Sequence, residues 1–303
     1  VRIDGLLSFP LTPFTADDAV DLDVLADHIS QQVDAGPSAL FVACGTGEFT
    51  ALSLPEYREV VSTAVGVSAG RVPVFAGIGG GPKLAREFAV AAAQAGADGV
   101  LLLPPYLVAC TPGGLLEHIR YVARSSTVPV VVYQRANAIL DVPAAVALLD
   151  VPQVVGIKDG HGDVDLMTRL VTAIRTSGHP RGPDFAFFNG QPTAELSAYA
   201  YRAIGIAGYS SAVLAFAPDI SVAFYRAFTE GDDDLAHRLL ADFYVPLEQL
   251  RDKVRGYAVA LPKAGARLAG LDVGRVRPPL VEPADEDVRA LAAIIEQGRK
   301  VIG

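Results

Sequence analysis

Over about the first 215 positions, apolar residues fall into short β-branched runs, each bounded by Gly, Pro or Asp. Between the runs lie longer stretches in which apolar and polar positions alternate at helical spacing. The runs are LLSFPLTP (6–13), ALFVACG (39–45), VPVFAGIG (72–79), DGVLLLP (98–104), VPVVVYQR (128–135), VVGIKDG (154–160), FAFFNG (185–190) and GIAGYSSA (205–212). Runs this continuous describe strands buried on both faces, and a helix after each describes a parallel sheet. Eight such units close most naturally into a (β/α)8 TIM barrel, with an open doubly wound sheet as the alternative. Helix starts are legible as well. Ser53 and Glu56 frame a capping box with Pro55 in the first turn, and Leu22, Leu25, Ala26, Ile29 and Val33 share one face of the first helix.

From about residue 231 the alternation stops, and three helical stretches follow: DDDLAHRLLADFYVPLEQLRDKV, YAVALPKAGARLAG and DEDVRALAAIIEQGRK. The expected organisation is a barrel over residues 1–230 carrying the active site, extended by C-terminal helices over 231–303 that form no separate functional unit.

Composition narrows the classes without naming one. At 303 residues, 51% hydrophobic and 19% charged, the chain is a globular protein with a sizeable core. No apolar run is long enough for a membrane helix, and the N-terminus lacks the order of a signal peptide, so a cytoplasmic location is expected. A net charge of −9 without a basic cluster argues against nucleic acid as a partner. Cys44 and Cys110 form no CxxC pair and read as reduced thiols. Histidines 28, 118, 161, 179 and 237 show no metal-ligand spacing, and no metal is expected. GIGGGPK (77–83) lacks the spacing of a phosphate loop, and no GxSxG supports a hydrolase.

In a barrel, chemistry gathers where strands end. Strand 2 ends in CGTGEF (44–49), strand 5 in Tyr133, strand 6 in Lys158, strand 7 in NG (189–190) and strand 8 in YSSA (209–212). Lysine is seldom buried without a partner, and desolvation lowers its pKa toward neutrality. A partly neutral amine is what a Schiff-base nucleophile requires. The competing reading is a structural ion pair with Asp159 or another carboxylate. Tyr133, one strand over, is either a proton relay or a tyrosine parked at the core edge. In GTGE, the N–H groups of Thr46 and Gly47, with the Thr46 hydroxyl, can cradle a carboxylate, or the stretch is simply a tight turn. His161 reads as a solvated loop histidine.

CGTGEF, VVVYQR and GIKDGHGD, in this strand order, resemble the dihydrodipicolinate synthase / N-acetylneuraminate lyase superfamily. Its members are lysine-dependent Schiff-base barrels with a helical C-terminal extension. Within it, GLLSFPLTPF, KDGHGDVDLM, GQPTAE, YSSAV, RGYAVALPKAGA and VRPPL are most similar to the 5-dehydro-4-deoxyglucarate dehydratase family. The resemblance implies that Lys158 is the imine lysine, Tyr133 its catalytic partner, and Thr46 and Gly47 the carboxylate loop. It implies a keto sugar diacid substrate, dehydrated and decarboxylated to 2,5-dioxopentanoate, with no cofactor beyond the lysine imine. Arg135, Asn189, Ser210 and Ser211 are then the expected contacts for the distal carboxylate and hydroxyls, and a homodimer or homotetramer the expected assembly. Departures count against synthase activity: Tyr106 is followed by Leu107 where synthases carry two tyrosines, and after Tyr133 comes QRAN without the arginine that synthases carry a few residues on. Cys44 and Thr50 stand where the dehydratases usually have Gly and Phe. The alternatives are an aldolase or lyase for 2-keto-3-deoxy sugar acids on the same scaffold, and a non-enzymatic sensor.

Overall fold

The computed structural model describes residues 3–105 and 107–303; Tyr106 lies outside them. Each apolar run contains a strand shorter than itself: β1 (Leu6–Ser8), β2 (Ala39–Val42), β3 (Val74–Ile78), β4 (Gly99–Leu102), β5 (Val130–Gln134), β6 (Val154–Asp159), β7 (Ala186–Asn189) and β8 (Tyr209–Ser211). All pair in parallel in chain order, and β8 returns to β1 with Leu6 opposite Tyr209 and Ser8 opposite Ser211. The sheet is a closed (β/α)8 barrel and not an open one. Around it run α1 (Leu22–Asp34), α2 (Leu54–Ser68), α3 (Pro82–Gln94), α4 (Pro112–Ala123), α5 (Val142–Ala147), α6 (Val164–Arg175), α7 (Ala198–Ala203) and α8 (Pro218–Glu230). Helix α2 starts at the expected capping box, with Ser53 accepting from the Glu56 amide and Glu56 accepting from the Ser53 N–H. The side chains of Asp21, Thr111, Asp141 and Asp163 cap four other helices in the same way.

Alternation along the strands splits the core in two. Leu7, Phe9, Phe41, Phe75, Leu101, Val131 and Phe188 fill the barrel interior. The Phe41 ring stacks on Phe9 at 4.8 Å and on Phe75 at 4.9 Å. Their neighbours Leu40, Val42, Val74, Val100 and Val132 face outward against the helices. One irregularity matters for everything above it. The β5–β6 register shifts by one residue, from Val130 opposite Val154 to Val131 opposite Gly156, so Val155 is an extra residue in β6. Above the shift, Tyr133 faces Lys158 and Gln134 faces Asp159.

Beyond α8 come α9 (Asp233–Leu239), a π-helical turn at 240–244, α10 (Val245–Asp252), α11 (Tyr257–Leu268) and α12 (Asp285–Ile302). These helices bury Phe243, Tyr244, Leu261 and Leu291 in one cluster with Phe224 and Phe228 of α8. Among the described residues, no helix is long and apolar enough to cross a membrane.

Candidate active site

At the C-terminal mouth of the barrel lies a cavity of about 240 Å³. Its floor is Phe9, Cys44 and Leu101, and its walls carry Thr46, Tyr133, Arg135, Lys158, Gln191 and Ser210. Lys158 rises through the centre with its Nζ 3.6 Å from the centroid of the Phe9 ring and 4.4 Å from that of Tyr133. Only 6% of the residue is exposed. Two glycines make room for this arrangement. A Cβ at Gly190 would sit 2.5 Å from Cγ and Cε of Lys158, and one at Gly160 would sit 2.7 Å from the Tyr133 ring.

Asp159 is not the partner of the amine. It points to the outer face, where its carboxylate accepts from the Tyr201 hydroxyl, Gln134 Nε2 (3.0 Å) and the N–H groups of His161 (3.1 Å) and Gly162 (3.2 Å). Among the described residues, no carboxylate lies within ion-pair distance of Lys158. Burial therefore dominates and holds the ammonium down at about 7, with Cys44 working against it and the Arg135 charge pushing the same way. Burial also drives the neighbouring Cys44 thiol up to about 12, so it is a neutral group in the floor. The Tyr133 hydroxyl donates to the Gly190 carbonyl at 3.2 Å and accepts from Arg135 at 3.1 Å. Burial raises its pKa, and the guanidinium beside it works in the opposite direction.

The loop after β2 forms the facing wall. Ala43 and Glu48, at its two ends, adopt left-handed backbone angles, φ 47° and 54°. Among the described residues no protein acceptor takes the N–H of Thr46 or Gly47. Gly47 is pinned from behind, its carbonyl accepting from Thr12 Oγ1 at 2.7 Å. The result is a partly neutral amine, a phenol, a guanidinium and a pair of free backbone donors around one small apolar floor. Such a set can bind an α-keto acid by its carboxylate and form an imine at its carbonyl.

The dihydrodipicolinate synthetase family model matches residues 2–298. The chain belongs to that family. A Streptomyces griseus protein named a probable 5-dehydro-4-deoxyglucarate dehydratase is 54% identical over 99% of this chain and 93% of its own. A Bradyrhizobium diazoefficiens protein of the same name is 42% identical over 97% and 91%. Among solved structures, dihydrodipicolinate synthase from Bacillus clausii superimposes with a TM-score of 0.89 at 28% identity, covering 98% of both chains. The other end of the barrel, at the N-terminal ends of β6, β7 and β8, is also open. There a larger cavity of about 930 Å³ opens, but its arginines are engaged. Arg181 donates to the carbonyls of Leu149, Val151 and Val154, and Arg175 to that of Gly205.

Six of the eight residues expected in the site gather here: Lys158, Tyr133, Thr46, Arg135 and Ser210 line the cavity, and Gly47 backs its wall. Two expectations are corrected. Asn189 is fully buried on the outer face, its amide donating to the Ala194 carbonyl (3.0 Å) and Ser197 Oγ (2.8 Å) while its Oδ1 accepts from the Gln191 N–H. Ser211 also faces outward, donating to Glu195 at 2.6 Å and meeting Ser221 at 2.9 Å. Both alternate with an inward neighbour, Gly190 and Ser210, and a strand end does not reveal that phase. His161 is exposed, as expected for a loop residue. Cys110 is exposed and Cys44 buried, both as free thiols. Residues outside the expected set include Phe9, Gln191 and Pro192, and Ala258 and Val259 of α11. The last two show that the C-terminal helices close part of the wall, a contact that helical periodicity cannot foretell.

Proposed function

We propose that this enzyme dehydrates and decarboxylates 5-dehydro-4-deoxy-D-glucarate to 2,5-dioxopentanoate through an imine on Lys158. The observation that carries the reading is the unpaired, desolvated amine of Lys158, held at about 7 beside Tyr133 at the C-terminal mouth. The names of the relatives support the substrate.

Thr46 and Gly47 hold the carboxylate next to the ketone and bring C5 against Nζ. Amine addition and loss of water give the iminium, with the Tyr133 hydroxyl relaying protons to and from the carbinolamine. The iminium acidifies C4. Its proton leaves, the C3 hydroxyl departs as water, and a C3=C4 double bond forms in conjugation with C5=N. That conjugated iminium then accepts the electron pair of the C1–C2 bond, releasing carbon dioxide and a dienamine that ends in an enol. Protonation of the enol at C3 gives the aldehyde. Protonation at C4 and hydrolysis free the product and the amine. The lysine itself is the electron sink, so the scheme calls for no metal or organic cofactor. In this reading Arg135 and Ser210, which line the cavity, take the distal carboxylate and hydroxyls.

The test follows two signals from one incubation with 5-dehydro-4-deoxy-D-glucarate: carbon dioxide, and a borohydride-trapped adduct located by peptide mapping. Carbon dioxide with an adduct on Lys158 is the expected result. An adduct without carbon dioxide, accompanied by pyruvate, would replace the dehydratase with an aldolase. Turnover by Lys158→Ala would overturn the imine.

A further inference from the structure

The site does not use the second buried lysine of this fold. Lys263, on α11, is fully buried, and its Nζ lies 2.7 Å from Oε1 of Glu48, which is equally buried. The ammonium also donates to the Arg275 carbonyl at 2.8 Å and sits 4.0 Å from the centroid of the Phe14 ring. The other carboxylate oxygen of Glu48 accepts from the Arg277 N–H at 2.9 Å. The Arg277 side chain lies 4.0 Å from the same Phe14 ring and is anchored by Asp18, the Ala51 carbonyl and Glu56. Neither Glu48 nor Lys263 lines the cavity.

Glu48 directly follows Gly47 and closes the loop that presents the Thr46 and Gly47 N–H groups. It does so in a left-handed conformation that disfavours a non-glycine residue. A loop bent this way at both ends holds its shape only if something outside it does the holding. Here both oxygens of its last side chain are gripped by groups more than 200 residues away in the chain. A buried ion pair is a poor source of stability, since its desolvation offsets most of its attraction, but it is specific in geometry.

We propose that Glu48 and Lys263 are a positioning pair that aims the carboxylate-binding loop, making the C-terminal extension part of the substrate-binding apparatus. This rests on the reading of Thr46 and Gly47 as the carboxylate cradle. It predicts damage confined to ligands that carry a carboxylate.

The experiment compares borohydride trapping of pyruvate with that of acetaldehyde, which forms the same kind of imine without a carboxylate. Wild type, Glu48→Gln and Lys263→Met are assayed as full chains, with mapping to Lys158. Glu48→Gln is the milder change and decides the matter if Lys263→Met fails to fold. The expected result is a rise of about tenfold to a hundredfold in half-saturating pyruvate, the scale of effect of a displaced binding group. Acetaldehyde labelling should stay within about twofold, because the amine and its surroundings are untouched. Equal losses with both probes, or no loss with either, would overturn the positioning role and leave the pair as a fold contact. The reading of the site itself fails in a different way: wild type would not label at Lys158, or Thr46→Val would leave pyruvate saturation unchanged.

Discussion

Substituting Lys158→Met removes the amine while keeping an unbranched side chain against Phe9 and Tyr133. An ordinary lysine titrates at 10.5, whereas Lys158 is held at about 7. At about 1.4 kcal/mol per tenfold change in proton affinity, that gap corresponds to roughly 5 kcal/mol by which folding disfavours the charged amine. The sign follows from proton binding. Between pH 7 and 10.5 the unfolded chain holds the proton and the folded one does not, so folding stability rises with pH across that window. Below 7 the whole penalty persists, and above 10.5 it is gone. Methionine carries no such penalty. Allowing about 1 kcal/mol for imperfect filling of the space, the variant should be more stable than wild type by roughly 4 kcal/mol at pH 7. The advantage should vanish at about pH 10 and give way to a deficit of about 1 kcal/mol above pH 10.5. Urea unfolding at a fixed protein concentration measures this, provided the slope with denaturant is the same for both proteins. Imine trapping should vanish at every pH. A variant no more stable than wild type at pH 7, with a difference that does not vary with pH, would refute the reasoning. It would mean that the amine is charged and compensated in the folded protein.

Two other substitutions probe neighbouring features. Burial holds the Glu195 carboxyl up at about 7, so the folded chain binds the extra proton between 4.5 and 7 and stability falls as pH rises through that window. Glu195→Gln should remove this fall and stabilise the protein by roughly 1–3 kcal/mol at pH 8 relative to pH 5; urea curves that track wild type at both pH values would contradict it. Gly190→Ala places a methyl group 2.5 Å from two carbons of Lys158. It should slow borohydride trapping by about a hundredfold in a folded protein, and trapping at the wild-type rate would show that the lysine has room to move.

The eight strands are legible in the sequence because burial on both faces writes each as a continuous apolar run. Lys158 and Tyr133 are legible because each interrupts such a run at its end. What the pattern leaves out is the direction in which a residue points. Asn189 and Ser211 end strands as plainly as Lys158 does, yet they serve the packing of 194–197 and Ser221. Lys263 hides for another reason. In YAVALPKAGARLAG it reads as a helical lysine free to reach solvent, and only the folded chain brings Glu48 to it. The first C-terminal stretch reads as one helix, but the π-helical turn at 240–244 divides it, a change of winding that leaves no mark in apolar periodicity.

The extra residue in β6 sets the parity of everything beyond it. Paired one for one from Val130 and Val154, with Val155 opposite Val131, Ile157 would fall opposite Tyr133 and Lys158 opposite Gln134, on the side now occupied by Asp159. A chain that kept all its residues but drew Val155 into the ladder would lose the site, its amine turned toward the helices. A variant in which Val155 pairs must therefore carry an extra residue in β5 to keep this chemistry, whereas loss of Val155 alone removes only the bulge. In this barrel the place of the lysine is an odd-or-even property of strand pairing before it is a matter of which amino acids are present.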